Sequence, residues 1–396
     1  MKEWYSILEN KIKTIAYDLI TAQPSYGSKF HGGGEYVKAV FEELVNKYQG
    51  NGAEIIAFYA KDRFLDDWIK DIIRQKNIKT VYIDSPNDII SKISNGEVKC
   101  DVFYSAGTIV FDRSVLPKDM VTIGTFHDLR DFEEPVDNYS HIYYDGMVDK
   151  IKQYGKYVRR KYLRNRNQGR YAVCAAGYDK IVCVSEHTKA MMETYLPETR
   201  DKIEGVLYTP SKHYMAPRND KISLNVGADY ILMISTNRWI KNSYRAIMAL
   251  DYLYDNKLID RKTVLVGGLS KAIGKSIRNP DMFDIIPYVN PDELEYLYSN
   301  CGLFLYPTLN EGFGMPPLEA MKYGKTCVIS ALCSLPELYA GSSYLIDPYS
   351  VEEMASHIQM ALNNPIDRTD IANIYNKITQ RQSDDLSKLA DMIVGI

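Results

Sequence analysis

The fold of this 396-residue chain is decided by one stretch, Tyr306-Pro-Thr-Leu-Asn-Glu-Gly-Phe-Gly-Met-Pro-Pro-Leu-Glu-Ala-Met-Lys-Tyr-Gly324. It continues a short apolar run that starts at Gly302 and is typical of a buried strand. Pro316 and Pro317 suit the first turn of a helix, where a missing N–H costs nothing, and Gly324 suits the end of that helix. The stretch therefore predicts a strand, a glycine-containing loop and a helix.

The predicted loop combines features of a phosphate site and a hydroxyl site. Glu311, Gly312 and Gly314 fall in the loop, and Glu319 lies one turn inside the helix. A helix start offers free N–H groups to an anion, and glycines let a phosphate approach the backbone. A carboxylate repels phosphate but accepts hydrogen bonds from sugar hydroxyls. The combination predicts a nucleotide sugar as ligand, while an ordinary loop with surface glutamates remains the alternative.

Composition excludes several classes of protein. A net charge of -3 gives no support for a nucleic-acid partner at the whole-chain level. The first residues have no apolar core typical of a signal peptide, and no apolar run approaches the roughly 20 residues that span a bilayer. The six cysteines form no C-x-x-C pair. We expect them to be reduced and buried, which predicts a cytoplasmic protein.

Short apolar runs alternate with helical patterns, which predicts an α/β protein with parallel sheets. A polar, proline-containing linker between about residues 208 and 221 separates two series of predicted strands. An amphipathic helix is predicted near the end, at 384–396. The predicted strands are 14–17, 54–58, 80–83, 102–104, 121–126 and 180–184 before the linker, and 230–234, 263–266, 283–286, 303–306, 326–329 and 343–346 after it.

Several polar residues directly follow predicted strands, at the edge where open α/β sheets bind ligands. Gly32-Gly-Gly34 precedes a helical pattern and predicts a second anion-binding helix start, or else only a flexible turn. His127 follows the strand that ends at 126, where an imidazole can contact a sugar hydroxyl or play only a structural part. Arg238 and Lys241 follow the first strand after the linker and suit a departing diphosphate. Solvated surface charges are the alternative for these two cations.

The segment Lys150–Arg170 carries nine cations and no acidic residue. Its apolar residues Ile151, Tyr154, Val158 and Tyr162 repeat at helical spacing. A basic amphipathic helix is typical of a membrane-surface or anionic-acceptor site. The alternative is a solvated basic face whose apolar side packs on its own domain.

Together these motifs resemble the retaining nucleotide-sugar glycosyltransferases of family 4. The stretch from Glu311 to Glu319 is similar to the family's Glu-x7-Glu signature, and the likeness extends from Pro287-Tyr-Val-Asn-Pro-Asp-Glu-Leu294 to Asp347-Pro348. In the first half it rests on the glycine loop and Thr125-Phe-His-Asp-Leu129. The resemblance implies the GT-B architecture, two doubly wound Rossmann-like domains that face each other across a central cleft. The expected domains are an acceptor-binding domain at 1–215, a donor-binding domain at 216–370, and a C-terminal segment at 371–396 that crosses back.

The resemblance also implies roles for individual residues. Glu311 would contact sugar hydroxyls, Glu319 would hold the donor ribose, and His127 would contact the transferred sugar. The diphosphate and the base would be held by the remaining donor-site residues, which are Arg238, Lys241, Gly33, Gly34, Gly312, Phe313, Gly314, Tyr288 and Val289. Arg238 and Lys241 are three positions apart, whereas the family often spaces this pair by five.

The implied reaction moves a sugar from a nucleotide-diphosphate sugar to a glycan or lipid-linked acceptor, with the leaving diphosphate as base on the same face. No Asp-x-Asp motif occurs in the chain. We therefore expect no metal and no other cofactor, and peripheral attachment to the inner face of the cell membrane is a further expectation. Two alternatives remain open: a catalytically silent GT-B subunit that binds a partner enzyme or acceptor, and another GT-B enzyme such as a nucleotide-sugar epimerase.

Overall fold

The computed structural model describes residues 12–24, 32–107, 109–134, 136–212 and 222–395. These residues form two α/β units, each built on a wholly parallel sheet. The strands are β1 (Lys13–Asp18), β2 (Ala53–Tyr59), β3 (Lys79–Tyr82), β4 (Val102–Ser105), β5 (Val121–Phe126), β6 (Lys180–Cys183), β7 (Ile203–Val206), β8 (Ile231–Met233), β9 (Thr263–Val266), β10 (Phe283–Ile286), β11 (Leu303–Tyr306), β12 (Thr326–Ser330) and β13 (Ser343–Ile346).

Helices connect the parallel strands, as such crossovers require. The α-helices are α1 (Gly32–Tyr48), α2 (Asp67–Gln75), α3 (Asn87–Ser94), α4 (Arg130–Glu133), α5 (Met147–Val158), α6 (Arg160–Ala176), α7 (Glu186–Tyr195), α8 (Ser243–Asp255), α9 (Lys271–Ser276), α10 (Pro291–Asn300), α11 (Met315–Met321), α12 (Leu335–Tyr339), α13 (Val351–Asn363) and α14 (Arg368–Val394). Short 3₁₀ helices lie at Ile20–Ala22, Arg113–Val115, Ser140–Tyr143, Pro197–Lys202, Trp239–Lys241 and Pro280–Met282.

Both sheets are doubly wound. The first has the strand order β3-β2-β1-β4-β5-β6-β7 and the second β10-β9-β8-β11-β12-β13, so each order reverses beside its first strand. Side chains of β1 alternate between two cores, with Ile15 and Tyr17 in one and Ala16 in the other. Both faces of the sheet are therefore covered by helices, as in other parallel sheets. These features confirm the predicted α/β class with parallel sheets.

The strand predictions agree with the structure except at one edge. All twelve predicted strands are present, with ends that differ by a residue or two. The strand that the sequence did not reveal is β7, whose sequence is Ile203-Glu-Gly-Val206. It is short, carries a glycine with a φ of 151° and pairs with β6 through a register shift. A four-residue edge strand with a central glycine lacks the apolar pattern that identifies buried strands.

The C-terminal helix is much longer than the predicted 384–396. Helix α14 has 27 residues, and the Asp367 side chain caps its start by accepting from the Thr369 N–H at 2.7 Å. It packs on α1, β1 and β4 of the first unit and on α11 of the second. The first half of α14 carries Ile371, Ile374, Tyr375 and Ile378 at i, i+3, i+4 and i+7, so its helical pattern was present in the sequence and the prediction began too late.

The predicted basic helix at 150–170 is two helices. Helix α5 ends at Val158 and α6 begins at Arg160, because Arg159 has a non-helical ψ of 15°. Gly155 in the last turn of α5 favours this end, since glycine has a low helix propensity. Within the described part of the chain, no helix is both long and apolar enough to cross a bilayer.

Candidate functional site

The two sheets bring the carboxyl ends of their strands to one cleft. In the second unit, β8 and β11 are neighbours at the reversal, and their carboxyl ends lead to Lys241 and Glu311. In the first unit, β5 leads to His127. A Cβ added to Gly312 would lie only 2.0 Å from the His127 carbonyl oxygen. The loop after β11 and the loop after β5 are thus in direct contact across the cleft.

Lys241 and Glu311 form a buried ion pair at the centre of this site. The Lys241 Nζ bonds Oε1 of Glu311 and lies 2.5 Å from the Tyr306 hydroxyl. Tyr306 and Thr308 also donate to Oε1 of Glu311, at 2.8 and 2.9 Å. Four side chains that start from β11 and from the 3₁₀ turn after β8 therefore hold one another in place. The sequence had predicted both charged residues, and the structure brings them together.

The pKa values of Lys241 and Glu311 are shifted by burial and by neighbouring cations. Burial alone would raise the carboxyl pKa of Glu311, but Lys241 and Arg130 outweigh it and lower that pKa to about 2. Burial lowers the pKa of Lys241 to about 8, since the attraction of Glu311 offsets only part of the desolvation and Arg238 adds repulsion. At neutral pH the site holds a carboxylate and an ammonium ion.

Arg130 is a site residue that the sequence reasoning missed. It is the first residue of α4, three positions after His127, and its charge acts on both Glu311 and Lys241. Its Nη2 donates to Asp128 at 2.9 Å, while its buried Nε has no hydrogen-bond partner among the described residues. With Asp128 included, the three cations Arg130, Arg238 and Lys241 still outnumber the carboxylates by one, which suits an anionic ligand.

The signal for Arg130 was present in the sequence. The residue follows the carboxyl end of β5 just as His127 does, and ligands bind at that edge of such sheets. What the sequence could not show is that the cleft brings α4 of the first unit against a loop of the second.

The glycine loop has no room for side chains. Gly314 has a φ of 87°, and a Cβ there would meet the Leu335 side chain at 2.4 Å. A Cβ at position 312 would clash with the His127 carbonyl oxygen, so a side chain there would push the two loops apart. The Phe313 ring is buried and packs against Tyr208 with ring centroids 5.1 Å apart. Only the backbone of residues 312–314 can therefore present itself to a ligand.

Glu319 lies in α11, apart from the Glu311 cluster. Its Oε1 pairs with Lys212, and its Oε2 accepts a hydrogen bond from the buried Tyr298 hydroxyl at 2.8 Å. Lys212 belongs to the connection between the two units. Glu311 and Glu319 therefore do not form a catalytic carboxylate dyad, because each is held by its own partners on opposite sides of the glycine loop.

His127 is oriented by the first unit. Its Nε2 lies 3.1 Å from the Ala106 carbonyl oxygen, and its ring meets Tyr36 edge-on at 4.7 Å between centroids. Tyr36 lies in the first turns of α1, two residues after Gly34. The start of α1 with Gly33 and Gly34 therefore lies near His127. These glycines form the first turn of α1, whereas the sequence had predicted that they precede the helix. Residues 25–31, just before this turn, lie outside the described residues.

The remaining predicted residues lie around the rim. Arg238 is exposed at the start of the 3₁₀ turn that carries Lys241. Tyr288 is 73% exposed, and Val289 is partly buried against the core. Their loop borders Gly268, whose added Cβ would lie 3.8 Å from the Cα of Pro287. The structure thus places Tyr288 beside the cleft without a contact to the Glu311 cluster.

A short part of the first unit docks on the second and closes one side of the cleft. We name residues 137–145 the docking segment. Its Asp137 forms a buried two-bond ion pair with Arg245 of α8, at 2.9 and 3.1 Å. Further bonds join Tyr143 to the Tyr244 N–H at 2.8 Å, Ile142 to Ser270 at 2.6 Å, and Asp145 to the Lys271 N–H at 2.8 Å.

Comparison with known proteins finds a family model that is similar to much of the second unit. Residues 217–377 match the model of "Glycosyl transferases group 1". Over 77 residues, 19% of this chain, the O-antigen chain mannosyltransferase B of Escherichia coli is 40% identical and the serotype-specific mannosyltransferase WbdA of Escherichia coli is 38% identical. The match covers 20% of the former protein and 9% of the latter, well under two thirds of either length.

Solved structures extend the likeness to the whole fold. Sucrose-phosphate synthase from Thermosynechococcus elongatus has a TM-score of 0.66 at 14% identity, covering 96% of this chain and 98% of that one. HepE from Anabaena in complex with UDP-glucose has a TM-score of 0.61 at 14% identity, with the same coverage. These likenesses confirm the predicted GT-B fold.

Proposed function

We propose that this protein is a retaining glycosyltransferase that moves a sugar from a nucleotide-diphosphate sugar to a glycan or lipid-linked acceptor. The observation that carries the proposal is the buried Lys241–Glu311 pair beside a glycine loop that contacts His127 across the cleft. The family match over residues 217–377 supports the same reading. A silent binding subunit would not need a buried ion pair at the carboxyl ends of β8 and β11, since such a pair is costly to desolvate.

The donor would lie along the glycine loop. All three donors described above bind Oε1 of Glu311, so Oε2 is the oxygen that can accept from a sugar hydroxyl. The backbone of residues 312–314 would receive the diphosphate. Arg130, Lys241 and Arg238 would stabilise its growing charge as the bond to the sugar breaks. Glu319 would take a ribose hydroxyl in exchange for Lys212, and the Tyr288–Val289 loop would meet the base.

The chemistry then needs no protein nucleophile. The bond between the anomeric carbon and the diphosphate breaks, the acceptor oxygen bonds that carbon on the same face, and the acceptor's proton passes to the leaving phosphate. The protein would contribute position and charge stabilisation. His127 would contact the transferred sugar, and the cations would do the work that a metal does elsewhere.

Mannose is the sugar to test first. Both Escherichia coli relatives are named as mannosyltransferases. A thermal-shift screen with UDP-, GDP- and dTDP-sugars identifies the nucleotide, because a bound donor stabilises the folded state by mass action. The acceptor would be a growing polysaccharide or its lipid-linked precursor.

Peripheral attachment to an anionic membrane fits the surface of α5. Met147, Ile151, Tyr154 and Val158 form one helical stripe and are 59–70% exposed. Apart from an edge-on contact of the Tyr154 ring with His141, these side chains face solvent, which supports a partner surface over packing on the chain's own domain. Cations of the Lys150–Arg170 segment surround the apolar stripe, which suits the anionic inner face of a cell membrane.

The decisive experiment compares donor hydrolysis and sugar transfer by Glu311→Gln and Lys241→Ala with the wild type. We expect each variant to lose about 100-fold or more in kcat, the size of effect seen when one charge-stabilising group is removed. Glu204→Gln and Lys180→Ala, which alter an exposed ion pair on the first sheet, are the matched controls. Equal rates in all five proteins would support the silent-subunit alternative.

Two further measurements test the finer parts of the proposal. NMR of the fresh product should show the anomeric configuration of the donor, and the inverted configuration would exclude retention. Turnover should survive EDTA; a complete loss that Mg²⁺ or Mn²⁺ restores would overturn metal independence. Release of a free, inverted sugar without an acceptor would point to an epimerase.

A further inference from the structure

A second cluster of reactive side chains spans the cleft next to the donor loop. Glu133 ends α4 and His187 lies in the first turn of α7, both in the first unit, while Cys333 follows β12 in the second. One ligand atom from each lies within 4.8 Å of the other two. The Glu133 Oε2 is 3.0 Å from the His187 Nε2 and 3.5 Å from the Cys333 Sγ.

The cluster contains buried oxygens that the protein leaves unsatisfied. The Glu133 side chain is 10% exposed and Asn310 is 2% exposed. Neither the Glu133 Oε1 nor the Asn310 Oδ1 has a hydrogen-bond partner among the described residues. The Asn310 Nδ2 donates to Glu133 at 2.7 Å and to Cys333 at 3.2 Å, so the amide oxygen belongs to the same cluster. Unsatisfied buried acceptors are costly, and a cation held by the Glu133 carboxylate would reduce that cost.

The ligand types and spacings match a zinc-class cation. Imidazole nitrogen, thiolate sulfur and carboxylate oxygen are the three kinds of Zn²⁺ ligand, at about 2.0 to 2.3 Å from the metal. Tetrahedral bonds of that length separate neighbouring ligand atoms by about 3.3 to 3.5 Å. The distances between the Glu133 oxygen and its two partners, 3.0 and 3.5 Å, lie close to that range.

We propose that Glu133, His187 and Cys333 form an inhibitory site for Zn²⁺ or a similar divalent cation that ties the two units together. On binding, Cys333 gives its thiol proton to solvent, and a water takes the fourth position. The site is separate from the Lys241–Glu311 pair, so this proposal adds no metal to the transfer step.

The position of Cys333 explains how the cation would act on turnover. The next residue, Ser334, donates from its Oγ to the carbonyl oxygens of Glu311 and Phe313, both at 3.1 Å. A metal bridge would therefore fix the donor loop against α4 and α7. Product release needs the cleft to open, so a bridged enzyme turns over more slowly. The inhibition rests on the proposed function, whereas metal binding does not.

Cobalt is the probe, because Co²⁺ bound to a thiolate gives a sulfur-to-metal charge-transfer band and tetrahedral Co²⁺ gives visible bands. The full-length wild type should show both on titration, and Zn²⁺ should remove them. Cys333→Ser should lose the charge-transfer band, while Cys100→Ser, which alters another half-buried thiol, should keep it. If Cys333→Ser fails to fold, His187→Asn tests the site through a more exposed ligand and should weaken Co²⁺ binding at least 10-fold.

The activity assay supplies the second readout. Micromolar Zn²⁺ should lower wild-type turnover several-fold, EDTA should restore it, and Cys333→Ser should be insensitive. Cobalt spectra without a charge-transfer band, or identical spectra in Cys333→Ser, would overturn the proposal and indicate an adventitious surface ion only. Normal cobalt spectra in a protein without glycosyl transfer would leave the metal site standing and reject the proposed function instead.

Discussion

At the scale of single residues, the site contains one buried carboxylate, Glu311, and more positive charges than are required to neutralise it. Glu311 is paired with Lys241, yet Arg130 and Arg238 also act on the pair. Burial is the main reason that the pKa of Lys241 falls, and repulsion from Arg238 and Arg130 lowers it further. Such repulsion is relieved when an anion binds. The resting site therefore suits an anionic ligand.

The pH dependence of kcat/KM should follow Lys241. Its pKa in the folded protein lies near 8, below its ordinary value, so the cation is lost as pH rises through about 8. We expect kcat/KM for the donor to be level near neutrality and to fall about tenfold per pH unit at alkaline pH. Glu311 stays ionised down to about pH 2 and adds no limb near neutrality. A profile that stays level to about pH 9.5 would contradict this assignment.

Arg130 should contribute to donor binding. Arg130→Met keeps an unbranched apolar side chain but removes the guanidinium, including the buried Nε–H that has no described partner. A lost charge-assisted hydrogen bond of about 1.5–3 kcal/mol corresponds to a fall in kcat/KM of roughly 10- to 100-fold. Steady-state kinetics with soluble donor measure it. Arg170→Met, which breaks an exposed ion pair with Asp131, is the control, and equal kinetics of the two variants would contradict the role.

At the scale of secondary-structure elements, helix α5 has the sequence pattern of a packed amphipathic helix, but its apolar side chains are exposed. An amphipathic helix normally buries its apolar stripe, yet Met147, Ile151, Tyr154 and Val158 face solvent. The helix is held instead through the buried Gln153 and through contacts with Ser140–Tyr143 and α6. The apolar stripe is therefore available to another surface, and its basic surroundings favour an anionic one.

Vesicle flotation tests this surface. We expect the wild type to float with vesicles that contain phosphatidylglycerol at low salt, and less so at high salt because screening weakens the cations. Ile151→Ser with Tyr154→Ser should lower the bound fraction at least tenfold, since each apolar side chain gains about 1.5–3 kcal/mol when fully buried. Tyr252→Ser changes a similarly exposed tyrosine on α8, and an equal loss there would show that α5 has no special part.

At the scale of the whole molecule, the two units are joined by contacts far apart in sequence. Helix α14 packs on α1, where Asp391 pairs with Lys47 at 2.5 Å, and its Gln382 bonds the Thr209 carbonyl in the connection between the units at 2.6 Å. On the other side, Asp137 of the docking segment pairs with Arg245. Glu337 of the second unit also accepts from the His187 N–H of α7 at 2.9 Å.

The Asp137–Arg245 pair should be important for stability. Arg245→Met leaves a buried carboxylate without its partner and should lower the free energy of unfolding by about 3–5 kcal/mol. Urea denaturation followed by circular dichroism measures the change. The double variant Asp137→Asn/Arg245→Met should regain part of the loss, because the uncompensated charge is gone. Arg74→Met, in an exposed pair with Asp71, should change stability by less than about 0.5 kcal/mol, and an equal loss there would contradict the argument.

The sequence by itself determined the local features of this protein. Apolar runs and their breaks predicted twelve of the thirteen strands, because a strand buried on both faces must be continuously apolar. The prolines and glycines around Glu311 predicted the loop and the start of α11, because φ restriction and missing N–H groups act within a few residues. The same local chemistry identified Glu311, Lys241 and His127 as candidates.

Only the tertiary structure decided what these residues touch. Arg130 belongs to the site because α4 lies near the Glu311 loop of the other unit. Glu319 is separate from Glu311 because Lys212 and Tyr298 bind its carboxylate. The stripe of α5 remained in solvent although its pattern is that of a packed helix. Periodicity records which residues share a face, but the partner of that face comes from contacts between distant parts of the chain.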